Sequence, residues 1–139
     1  MNKIVLGLLI CVSLLAAVPA GAHHSGTMFD DSREVTVTGV VTEFQYTNPH
    51  SWLLIDVKGA DGKTTTWGFE AEGPSTLTRA GIRPSDFKAG TRVTMTGHPM
   101  KDGRPAATWI KAVRADGKEF IPRPKSSSVG ADGGLNQPR

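Results

Sequence analysis

The sequence predicts an all-β domain of small α content, an OB-like five-stranded barrel with a short helix between strands 3 and 4. Three observations carry this expectation. Five segments between Glu34 and Arg114 are rich in β-branched and alternating apolar residues, and Gly, Pro, Asn and Asp turns separate them. A short helical segment follows the third of them. The first is long and shifts its alternation at Gly39-Val40-Val41, as a strand does when it bends to pair on both sides of a barrel.

Ahead of the barrel, residues 1–22 read as a cleavable signal peptide. Lys3 supplies the positive start, and the apolar run Ile4–Val18 is too short for a membrane span of ~20 residues. Ala20 and Ala22 then form the small-residue pattern that signal peptidase reads. Cleavage is expected after Ala22, with Ala20 as the alternative. The chain's one cysteine, Cys11, follows Ile10 inside the apolar run, which does not fit a lipid anchor. Residues 23–139 therefore carry no disulfide, thiolate metal site or cysteine nucleophile. Periplasmic or secreted location follows from the leader, with no membrane association after cleavage.

Residues 23–33 are polar apart from Met28 and Phe29 and read as an N-terminal arm. The barrel domain is expected over 34–121. Its first strand runs to Tyr46, and Thr47-Asn48-Pro49-His50-Ser51 forms a turn. Strand two covers Trp52–Val57, with Leu53, Ile55 and Val57 on one face. Asp61-Gly62 suits a hairpin, and strand three follows over Thr64–Glu70. Ser75–Ala80 makes a helical turn ending at Gly81, and Pro84–Phe87 a second single turn. Strand four is Thr91–His98 with Val93 and Met95 inward. Strand five is Ala106–Arg114, followed by a short Glu119–Ile121 segment. Residues 122–139 are Pro, Ser, Gly and polar residues, the composition of a disordered tail.

Charge narrows the partners. The formal net charge is +3, and acids and bases interleave without a basic block, so nucleic acid is disfavoured. No nucleophile elbow, phosphate loop or His-Glu-x-x-His helix is present, so no catalytic residue is assigned. Glu43, Asp56, Glu70 and Glu72 read as ordinary surface or strand-edge acids. Ser51 beside His50 is a serine–histidine neighbour in sequence only.

The four histidines are the residues with the strongest chemical signal, because imidazole binds transition metals without thiolate help. His23 and His24 stand at the expected mature N-terminus. His50 lies between strands one and two, and His98 where strand four enters the loop to strand five. Those loops flank one edge of an OB barrel, so the fold brings His50 and His98 to one side, within reach of the arm. Cutting after Ala22 also frees an α-amine on His23, which can chelate together with its imidazole. Cutting after Ala20 instead leaves Gly21-Ala22-His23, whose amine, amides and imidazole suit square-planar Cu(II) or Ni(II). Met28, Met95 and Met100 offer thioethers suited to Cu(I).

The leading expectation is an exported binding protein holding copper or another divalent metal through His23, His24, His50 and His98. The alternative is a metal-free adaptor for an unknown periplasmic ligand or protein. It would use an aromatic strand face with Trp52, Tyr46 and neighbouring Asn48 as ligand-binding residues.

The blocks His23-His24-Ser25, Thr47-Asn48-Pro49-His50-Ser51-Trp52 and Gly97-His98-Pro99 with Asp102-Gly103 resemble the domain of unknown function 6152 family of small exported bacterial proteins. The likeness spans about residues 23–120, and Trp67–Glu70, Pro74, Leu77 and Gly81 also fit it. The resemblance implies export and a compact β-barrel-like domain, with no established activity to transfer. His23, His24 and His50 lie in its more specific blocks.

Overall fold

A computed structural model describes residues 28–123. The leader, His23, His24 and residues 124–139 lie outside the described residues. β1 (Val35–Gln45) is the strand on which the barrel turns. Its first half pairs antiparallel with β4 (Arg92–Pro99), from Val35 opposite Gly97 to Val40 opposite Arg92. Its second half pairs with β2 (His50–Lys58), from Val40 opposite Asp56 to Gln45 opposite Trp52. The curled first strand expected from the sequence is therefore present, but its irregularity falls between Val41 and Glu43. The shift was expected at Gly39-Val40-Val41, whereas Val40 is 38% exposed and Val41 is buried. The alternation holds through Val41 and breaks at Thr42.

β3 (Thr64–Glu72) pairs antiparallel with the whole of β2. β5 (Ala106–Arg114) pairs antiparallel with β4 and, through Gly68–Ala106 to Glu70–Thr108, parallel with β3. That parallel contact closes a five-stranded barrel in the order β1-β2-β3-β5-β4. β6 (Glu119–Phe120) adds two residues beside β5. The OB-like, all-β expectation with small α content holds, and the short helix sits between β3 and β4 as expected. Among the described residues no helix is long and apolar enough to cross a membrane.

Period-2 alternation fills the interior: Leu53 and Ile55 from β2, Phe69 from β3, Val93 and Met95 from β4, Ala107 from β5 are all buried. α1 (Pro74–Arg79) starts with Pro at its first turn, where no intrahelical N–H is lost. It adds one buried side chain to the core, Leu77, a burial that stabilises by about 1.5–3 kcal/mol. Tyr46 ties it down. The phenol oxygen lies 3.0 Å from the Pro74 carbonyl, 3.1 Å from the Ile82 carbonyl and 2.8 Å from the Thr78 hydroxyl. Around Phe87 the rings of Phe44, Trp109 and Phe120 pack at 5.7, 5.2 and 4.7 Å between centroids, offset and tilted arrangements that aromatic quadrupoles favour.

The described residues flanking the barrel are anchored more firmly than polar composition suggested. Phe29 is buried and bridges Met100, so part of the expected arm belongs to the core. At the other end Pro122 is buried and Arg123 pairs with Glu72, two residues into the expected tail. A single apolar or charged residue in a polar stretch has no periodicity by which to be recognised.

Beside β6, Arg114 and the Lys118 backbone N–H both donate to Asp116. The Arg114 hydrogen bond, first among the causes, lowers the Asp116 carboxyl to about 2 from a reference of 3.8. A depressed carboxylate stabilises the fold fully above its unfolded value. That contribution is expected to fade as pH falls from about 4 to about 2. Carboxyl-carbon NMR should place the Asp116 titration midpoint near 2, and Arg114→Gln should move it upward.

Candidate functional site

One band of residues crosses the outer face of four strands. Inward Phe69 and Ala71 alternate with outward Glu70 and Glu72 on β3. Glu72 is opposite His50, the first residue of β2. Glu70 is opposite Thr108 of β5, and Thr108 is opposite His98 of β4. The barrel's closing pairs thus carry His50, Glu70, Thr108 and His98 onto one surface. His50 and His98 both line a single groove of about 1050 Å³, so the expectation that the fold brings them to one side is met. His50 is a strand residue rather than a turn residue, because β2 begins earlier than its apolar alternation indicated, and His98 lies in β4 as expected.

Segments flanking the barrel also line the groove: Asp31 and Glu34 before β1, and Ile121, Pro122 and Arg123 after β6. Each histidine is held through Nδ1. The His50 Nδ1 meets the Glu70 Oε1 as a charge-assisted pair, with the Glu70 side chain only 7% exposed and that of His50 at 36%. The His98 Nδ1 lies 2.7 Å from the Arg33 carbonyl oxygen. A carbonyl or carboxylate only accepts, so both Nδ1 atoms carry the proton and donate it. In the neutral imidazole this leaves Nε2 of each ring with its lone pair free.

The Arg33 carbonyl is itself placed by a local turn. Arg33 N–H donates to the Asp30 carbonyl at 3.1 Å, while the Ser32 hydroxyl and N–H donate to the Asp30 carboxylate at 2.6 and 3.1 Å. The Ser32 hydroxyl bond holds the Asp30 carboxyl below the ordinary carboxylate range, with its N–H bond, Arg33 and Lys101 assisting against slight desolvation.

The groove leans acidic. Asp31, Glu34, Glu70 and Glu72 face Lys111 and Arg123. Arg123 is taken by Glu72, and Lys111 reaches Glu119 at 3.6 Å. Such a surface favours a cationic occupant. Among the described residues no three His, Cys, Asp or Glu side chains converge as a metal site. His50 and His98 by themselves therefore make no metal site among the described residues.

Other candidates are placed elsewhere. Met95 is buried in the core, and Met28 and Met100 do not line the groove, so the thioethers are not gathered there. Ser51 is fully buried on the opposite face from His50, its hydroxyl 3.4 Å from the Thr47 carbonyl, which removes it as a nucleophile activated by that histidine. Tyr46 is bound to α1 and its flanks, Trp52 lies over Gly68, and Asn48 lies against Gly73; none of the three lines the groove. Glu70, read as an ordinary strand-edge acid, is buried against His50. Outward phase alone gave no signal of that burial.

A model of a family of unknown function (DUF6152) matches residues 10–109, a span that includes all four histidines. No curated protein and no solved structure matches the chain.

Proposed function

We propose that this chain, which belongs to the family of unknown function DUF6152, is an exported, non-enzymatic binding protein for a divalent transition metal, copper foremost. In this reading the leader is removed after Ala22, the protein works in the periplasm, and His50 and His98 bind the ion through Nε2. His23, with its new α-amine, and His24 complete the site.

One observation carries the reading. Both groove histidines have Nδ1 committed to an oxygen acceptor, the outer-shell arrangement that orients imidazoles for metal ligation.

Chain length is consistent with the arm's part. The Met28 carbonyl accepts from Lys101 N–H, and Asp30 N–H donates to Pro99, so the arm is docked beside the end of β4. From Lys101 back to His98 is at most ~11 Å at about 3.6 Å per residue. From Met28 out to His24 the chain can span ~14 Å on the same basis. The arm's histidines can reach the groove.

Isothermal titration of the chain beginning at His23 with Cu(II) tests the reading. Affinity is expected to exceed that of a His23→Ala, His24→Ala, His50→Ala variant by about 100-fold or more, since losing ligands costs at least what losing their outer-shell partners does. Equal affinities would return the groove to a metal-free ligand.

A further inference from the structure

We infer that the groove is a docking surface for an extended, basic segment of a partner protein, one that alternates lysine or arginine with apolar side chains. The inference goes beyond the metal reading and needs no bound ion.

Shape comes first. Strands follow one another across this surface in the order β1-β4-β5-β3-β2, and each lines the groove in turn, through Thr36, His98, Thr108, Glu70 and His50. Four steps of about 4.8 Å between neighbouring strands make a run of ~19 Å. An extended chain advancing about 3.3 Å per residue covers it with roughly six residues. The volume of about 1050 Å³ stands at the upper end for a site that takes one small organic molecule. An elongated occupant suits it better than a compact one.

Charge fixes the sign of that occupant. The groove's two cations, Lys111 and Arg123, are both met by carboxylates, those of Glu119 and Glu72. Asp31 and Glu34 are exposed and form no ion pair among the described residues. The unmatched charge is therefore negative, and it draws a cationic partner. The chain itself shows the mode of binding, because Glu72 already receives the guanidinium of Arg123. With its side chain 81% exposed, Arg123 is open to competition, and exposed pairs of this kind hold weakly.

The remaining lining calls for a peptide. Ile121 is 43% exposed and lines the groove, as does Ile110. The Thr108 hydroxyl has no partner among the described residues, and a hydroxyl can both donate to and accept from peptide groups. A polyamine answers the charge but brings no peptide group for Thr108 and no branched side chain for the isoleucines.

The probe is a fluorescein-labelled, end-blocked hexapeptide alternating lysine and leucine, titrated by anisotropy with the chain beginning at His23. A chelator is present throughout, so the outcome is independent of the metal reading. Saturable binding is expected, about tenfold tighter than for counterparts with glutamate in place of lysine or serine in place of leucine. Asp31→Asn, Glu34→Gln should weaken it about fivefold, whereas Asp61→Asn, Asp102→Asn, the same charge change outside the groove, should leave it within about twofold. Arg123→Ala frees Glu72 and should tighten binding about threefold. Arg104→Ala, which breaks an ion pair with Asp102 away from the groove, should not. Circular dichroism on each variant reports folding separately. Equal binding of the lysine and glutamate peptides, equal loss in the groove and remote variants, or displacement by spermidine as effective as by unlabelled peptide overturns the inference. A dimer in sedimentation that the peptide does not dissociate gives the groove to a second copy of the chain and overturns it too. None of these results bears on the copper titration, and failure of that titration leaves the docking surface standing.

Discussion

Gly97→Ala is expected to lower stability by about 4 kcal/mol or more, at the extreme end of single substitutions. A Cβ built at Gly97 would sit 2.1 Å from the Thr108 carbonyl oxygen and 2.9 Å from the Ala107 Cβ. Neither neighbour can rotate away, since one is backbone and the other is fixed to it. Relief requires β4 and β5 to separate where their register already shifts, between Thr96 and Gly97. That is also where Ala107 and Thr108 pair with β3, so the strain falls on the barrel's closure. With ordinary domains stable by 5–15 kcal/mol, the loss is a large share of the total. It should depress the melting temperature by roughly 20 °C. Gly62→Ala is the contrasting case. Nothing lies within 4 Å of its Cβ position, and only the φ of 79° opposes the change, about 1–2 kcal/mol. Equal melting temperatures for the Gly97 and Gly62 variants would show that β4 yields at the bulge at little cost.

Removing both groove histidines is the second large effect. His50→Ala, His98→Ala is expected to reduce Cu(II) affinity by at least about 100-fold, because under the proposed function each change deletes a direct ligand and not merely the partner of one. Melting temperature should move far less than in Gly97→Ala, since His50 is about one-third exposed and His98 lies on the outer face. The single variants separate the groove from the arm. Loss in both places the ion between β2 and β4. If neither single variant nor the double one weakens binding, the ion is held by the N-terminal amine and His23 alone. Lowering the pH should release the metal, because protons compete for the same nitrogens.

Much of the fold was legible because its signals are local. Leu53, Ile55 and Val57 recur at every second position, Asp61-Gly62 marks a tight turn, and Gly81 ends the short helical segment. Each acts over a few residues. The errors arose where one residue's environment outweighs its pattern. Val40 is apolar yet exposed, which displaced the expected bend from Thr42. Phe29 stands alone among polar residues yet is buried, because a bridge to Met100 carries it into the core.

For the site, the sequence by itself determined the ingredients: four histidines, no cysteine beyond Cys11, and a fold that turns His50 and His98 to one side. Residue type and strand periodicity are enough for that. Only the tertiary structure decided which nitrogen of each ring is engaged, that Glu70 is buried against His50, and that segments flanking the barrel on both sides in sequence line the groove. Those facts depend on which distant backbone groups come opposite one another. Glu70 meets Thr108 through the parallel pairing of β3 with β5, and His98 meets the Arg33 carbonyl through a turn built by Asp30 and Ser32. Register between remote strands is settled by the packing of the whole barrel, and no local period in the chain encodes it.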